Sequence, residues 1–153
     1  MFTSSRIQIV IVAAPVLAFA AIALATPSSG FTTVLLARSS LAERLKIQTH
    51  PGEITDIVMQ SVAIEPGGQS GWHYHPGPIL VAVKSGTITL YDGDDPTCTP
   101  RSVSAGAAFV EEPGHVHLAR NEGSVTEQHV STYILPMGAP TRVDAPNPGN
   151  CPF

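Results

Sequence analysis

From Ile54 to Leu135 the chain alternates between short runs rich in Ile, Val and Thr and abrupt stops at glycine or proline. Branched side chains are stiff and pack well on a pleated surface, and Gly and Pro supply the turns between such runs. The runs are Ile54–Ile64, Ile79–Val83, Thr87–Tyr91, Arg101–Ser104, Ala107–Val110, His115–Ala119 and Val125–Leu135. Helical periodicity is almost absent between them. The pattern predicts one all-β domain, a sandwich or barrel, with Ile79–Val83 and Thr87–Tyr91 joined as a hairpin at Lys84-Ser85-Gly86. Upstream, Ser40-Leu41-Ala42-Glu43 fits a capping box and predicts a short helical turn. Beyond Pro136 a Pro/Gly/Asn-rich tail is expected to loop over the surface.

The N-terminus reads as a targeting segment. Arg6 precedes an apolar stretch from Ile7 to Leu24, broken at Gln8 and Pro15, and Ala23-Leu24-Ala25 offers a small-x-small cleavage pattern. Two readings stand, a signal peptide over 1–25 or an uncleaved anchor, since the stretch approaches spanning length. The expected layout is then a linker with a short helix over 26–45, the β-domain over 46–136 and the tail over 137–153. Cys98 and Cys151 both lie in the exported part, where an even count points to a disulfide; two free thiols are the alternative. Net charge is −4 and no Lys/Arg cluster exists, which argues against a nucleic-acid partner. No phosphate-binding glycine loop, dinucleotide fingerprint or nucleophile elbow is present.

Chemistry concentrates in two stretches. In Gly71-Trp72-His73-Tyr74-His75 two histidines sit one residue apart, so on a strand they share a face, with Cβ atoms about 6–7 Å apart. The second stretch is Gly114-His115-Val116-His117-Leu118-Ala119-Arg120-Asn121. Together they resemble the cupins, small jelly-roll β-barrels. Gly67, His73, His75 and Gly86 fit the first cupin motif, Gly-x5-His-x-His-x3,4-Glu-x6-Gly, with Ile79 in the place of Glu. Gly106, Gly114, His117 and Asn121 fit the second, Gly-x5-Pro-x-Gly-x2-His-x3-Asn, with Glu112 at the Pro position. The resemblance runs from about Glu53 to Leu135.

The resemblance implies that 46–136 is a single cupin-type jelly-roll barrel in which His73, His75 and His117 converge on one divalent metal. Without the motif Glu, the pattern resembles three-His cupins such as thiol dioxygenases, which implies Fe(II), with Mn, Ni or Zn as alternatives. Ile79 marks either an open coordination position or a weakened site. His115, Gln69 and Asn121 are second-sphere candidates; Glu111 and Glu112 could supply a carboxylate, although solvated charges are the expectation. His50 and His129 stand outside any motif and read as structural or exposed. Trp72 and Tyr74 should face away from the ligands, and Tyr74 and Tyr91 read as packing residues. The function so implied is an exported mononuclear metal-dependent dioxygenase on a small organic substrate; the alternative is a non-catalytic small-molecule-binding cupin. A homodimer is a candidate assembly, and a membrane partner is expected only if the N-terminal segment is retained.

Overall fold

Strand follows strand along the chain in a computed structural model that describes residues 32–49, 52 and 54–153. The candidate signal segment and His50 lie outside the described residues. Among these residues the strands are β1 (Ser40–Leu41), β2 (Thr55–Ile64), β3 (His73–Tyr74), β4 (Ile79–Ser85), β5 (Thr87–Asp92), β6 (Arg101–Ser104), β7 (Ala107–Glu111), β8 (His117–Arg120), β9 (Glu127–Pro136) and β10 (Val143–Asp144). No helix of the described residues is long and apolar enough to cross a membrane.

The strands form two five-stranded sheets, ordered β1-β7-β4-β9-β2 and β10-β3-β8-β5-β6. Burial alternates along β4 and β9, as it must where one face packs inward and the other does not. Ile79, Val81, Val83, Phe109, Tyr133 and Leu135 from the first sheet close against Ile88, Leu90 and Ala119 from the second. Each large apolar side chain fully buried this way contributes about 1.5–3 kcal/mol. The all-β jelly roll is therefore as expected, with its two sheets remaining separate rather than closing into one barrel.

The predicted hairpin does not form. β4 pairs with β7 and β9, whereas β5 pairs with β6 and β8 in the other sheet. The chain turns a corner between the sheets at Gly86, which has a φ of 73°. The β4–β9 register shifts just before it, between Val83 and Ser85. The capping box also misleads: Ser40–Leu41 pairs in parallel with Ala107–Ala108. There the Glu43 carboxylate accepts a hydrogen bond from the Val110 amide (3.0 Å), and the Ser39 hydroxyl donates to the Val83 carbonyl (2.9 Å). Tertiary partners take the donors and acceptors that a helix cap would have used.

The tail is built into the second sheet. β10 pairs with β3, setting Val143 opposite Tyr74 and Asp144 opposite His73. Cys151 is bonded to Cys98 and joins Trp72, Tyr91 and Leu118 in a second buried cluster on the outer side of that sheet. This covering explains why four consecutive residues of β5, Ile88 to Tyr91, are all buried.

Candidate metal centre

His73 on β3 lies directly opposite His117 on β8, and His75 follows two residues after His73. The His75 carbonyl accepts from the Gly114 amide (2.8 Å), which ties the two histidine-bearing segments together. The three rings stack edgewise and tilted, with centroids 4.5 to 5.2 Å apart. One ring nitrogen from each lies within 4.8 Å of the others. All three residues are buried.

The outer nitrogens fix the tautomer. His73 Nδ1 donates to the Gly71 carbonyl (2.8 Å), His75 Nδ1 to Thr141 (2.6 Å) and His117 Nδ1 to His115 (3.0 Å). A carbonyl only accepts, so each Nδ1 carries a proton, and in its neutral form each ring turns an Nε2 lone pair inward. His117 Nε2 is buried and makes no hydrogen bond of good geometry; its close polar neighbour is the Glu111 carboxylate at 3.3 Å, and a cation between the two would satisfy both. Burial brings the His73 imidazole down from 6.5 to about 4, with His117, Arg142 and His75 pushing the same way against the Gly71 carbonyl. It therefore stays neutral, as a ligand must. The residues fit a divalent metal.

A carboxylate joins them. Glu111, at the end of β7, sets Oε2 3.1 Å from His75 Nε2 and Oε1 3.3 Å from His117 Nε2, with its side chain 12% exposed. Burial pushes this carboxyl up, but the contacts with His117 and His75 outweigh it and hold Glu111 well below the usual carboxylate range. His117 moves the other way: burial lowers it, and Glu111, the His115 carbonyl and Asp92 together raise it above 6.5. Glu111 is thus part of the site rather than a solvated charge, whereas Glu112 is exposed.

The centre opens into a cavity of about 240 Å³ whose walls include His73, His75, Glu111, His129, Tyr133 and Arg142. His129 is buried rather than exposed. Its Nδ1 donates to both oxygens of Glu127 (3.0 and 2.9 Å), a carboxylate with no solvent exposure. His129 and Tyr133 occupy alternate inward positions of β9 with Ser131 between them, and Tyr133 packs on His75 at 5.7 Å. Burial raises the Tyr133 hydroxyl, so it stays protonated. A larger cleft of about 310 Å³ lies on the outer face of the first sheet, between Leu36, Leu41, Leu45 and Leu80. It has no titratable side chain and no place in this chemistry.

The remaining sequence candidates sort by geometry. His115 is turned outward to Asp94 (3.1 Å) and serves the site through its backbone carbonyl. Asn121 braces loops: its amide donates to Ile64 and Val125, and its carbonyl oxygen accepts from Gly123. Gln69 is exposed on an isolated bridge to Arg120. Ile79 is fully buried in the core. Trp72 packs on the opposite side of its sheet, with Tyr91. Glu111 was expected to be a solvated charge and His129 to be structural or exposed, because each owes its place to cross-strand register. The inward alternation of β9 was the available signal for His129.

Residues 60–129 match the family model of the cupin domain. Among solved structures, an uncharacterized conserved protein with a double-stranded beta-helix domain from Klebsiella pneumoniae subsp. pneumoniae MGH 78578 is 25% identical, with a TM-score of 0.51. That match covers 65% of this chain and 90% of that one. The DMSP lyase DddQ from Ruegeria pomeroyi DSS-3 (16% identity, TM-score 0.52, 61% of this chain and 45% of that) shares the fold. So does the polyketide cyclase RemF from Streptomyces resistomycificus (19%, TM-score 0.50, 67% and 70%). No curated protein sequence matches the chain.

Proposed function

This chain carries a cupin domain, and we propose that the domain holds one divalent metal through His73, His75 and His117 and uses it in dioxygenase-type chemistry on a small organic molecule. The observation that carries the reading is the set of three buried imidazoles with every Nδ1 proton committed to a backbone carbonyl. Three Nε2 lone pairs then converge on one point at the end of a cavity. Fe(II) is the expected ion, with Mn, Ni or Zn as alternatives. When bound, such an ion supplies a Lewis acid and, as iron, an electron donor to dioxygen.

The chain's own residues do the rest. The sheets wall the cavity beside His73, His75 and Glu111. Arg142, which is held by Asp144 and donates to the Ser70 carbonyl (2.9 Å), places a guanidinium on the cavity wall and favours an anionic group on the bound molecule. Glu127 keeps the His129 proton on Nδ1, which leaves Nε2 able to take a proton from that molecule. The Cys98–Cys151 bond supports an oxidising, exported setting.

Oxygen-electrode assays of apoprotein reconstituted with Fe(II), run against a panel of small hydroxy and carboxylic acids, test the reading. Oxygen uptake that requires both metal and acid, and that a chelator stops, is expected. Ligand-induced thermal stabilisation without oxygen uptake would favour the non-catalytic binding cupin.

A further inference from the structure

We infer that Glu111 is the fourth protein ligand of the metal, a carboxylate supplied by β7 in place of the one that Ile79 does not provide on β4. The inference rests on the metal reading of the three histidines and adds the donor set and its charge. Ile79 and Glu111 are direct partners in the antiparallel β4–β7 register. Their side chains therefore stand on the same face of the sheet, with Cβ atoms about 4.5–5.5 Å apart. Ile79 turns into the apolar core. Glu111 reaches the histidines from the next strand, a displacement its longer side chain spans.

Two physical points favour coordination. Atoms that share one ion through bonds of about 2.1 Å lie about 3.0–3.4 Å apart, on octahedral or tetrahedral edges. The separations of Glu111 from His75 Nε2 and His117 Nε2, 3.1 and 3.3 Å, fall in that range. Each neutral imidazole has only one N–H, and it is spent on a carbonyl. With the rings neutral the carboxylate faces two lone pairs, and a positive charge between them, either a second proton on His117 or a bound cation, makes that arrangement favourable. One dication does so, and it also satisfies His117 Nε2, which makes no hydrogen bond of good geometry. Three imidazoles and one carboxylate leave the centre a single net positive charge. The hard oxygen donor favours Mn(II) and Fe(II) over softer ions.

Mn²⁺ is the probe for the test. Apoprotein, Glu111→Gln and His117→Ala are titrated by calorimetry, with free Mn²⁺ followed by its electron paramagnetic resonance signal. Glu111→Gln should bind at least about tenfold more weakly, and His117→Ala should lose the site. Undiminished affinity in Glu111→Gln beside a loss in His117→Ala would overturn Glu111 as a ligand and leave the three-His centre standing. Undiminished affinity in both would overturn the metal reading itself. A measurement that needs no variant accompanies it: infrared difference spectra of the wild-type protein, with glutamate labelled by ¹³C, before and after Mn²⁺ loading. A shift of the labelled carboxylate stretches is expected, and its absence would overturn the inference.

Discussion

His73 is the residue where burial and charge leave the clearest mark. Its imidazole is held near 4 against an ordinary 6.5, so between those values the unfolded chain takes up a proton that the folded apoprotein refuses. Stability is therefore lost as pH falls through that window, by up to about 3 kcal/mol from this residue. Glu111, depressed in its fold, adds a loss of the same sign at lower pH. His117 is raised, so its contribution is complete below 6.5 and is lost as pH climbs past its folded value. Melting temperatures of metal-free protein should drop from pH 6.5 to 4, and His73→Asn should flatten that drop. An equal slope in both would contradict the burial account. His129 gives a second prediction at this scale. Replacing Glu127 by Gln keeps the shape but exchanges one of the two oxygens that His129 Nδ1 donates to for an amide nitrogen. On the proposed role of His129 in proton transfer, turnover should fall about 10²–10⁴-fold with Mn²⁺ affinity unchanged. The clustering of His73, His75 and His117 was legible in the sequence because their spacing repeats two known motifs. Glu111 was legible only as one of two candidate carboxylates, and the burial of His129 was not legible, since register brings each to the cavity.

At the scale of elements, the sites of strand change are where local reading failed. Ile79–Val83 and Thr87–Tyr91 carry hairpin chemistry around Gly86, yet the chain crosses there from one sheet to the other. At Gly86 a Cβ would lie 3.0 Å from the Glu127 Cα in a left-handed conformation. Gly77 lies between His75 and β4, and a methyl there would overlap the carbonyl of Ile134. Gly77→Ala should therefore destabilise the protein by about 2–4 kcal/mol, more than Gly86→Ala at about 1–3 kcal/mol. It should also weaken metal binding, because His75 enters the site from that segment. Denaturant midpoints and Mn²⁺ titrations check both effects, and a Gly77→Ala protein of wild-type stability would contradict the close approach of the Gly77 segment to Ile134 of β9. Most strands were readable from branched residues and turn punctuation. The parallel pairing of Ser40–Leu41 was not, because its capping-box residues serve distant partners.

Across the whole molecule, the tail belongs to the site. It brings the Thr141 carbonyl that orients His75 and the Arg142 guanidinium on the cavity wall, and the disulfide anchors its end over Trp72 and Leu118. Cys98 and Cys151 are 53 residues apart, so in the chain-entropy view their bond contributes about 4 kcal/mol. Paired Cys98→Ser and Cys151→Ser replacements should lower stability by that order, read by chemical denaturation, and should loosen metal binding through His75. An unchanged midpoint would mean that the tail is held by packing alone. The pairing was expected from an even cysteine count, whereas the tail's part in the site was hidden in a stretch that reads as loop. The central claim is that the jelly roll exists to present three imidazoles to one ion. Elemental analysis of protein purified without chelator or affinity tag, wild type beside His73→Ala/His75→Ala, tests it most directly. The account predicts close to one divalent metal per wild-type chain and none in the double variant; equal metal content in the two proteins would contradict it.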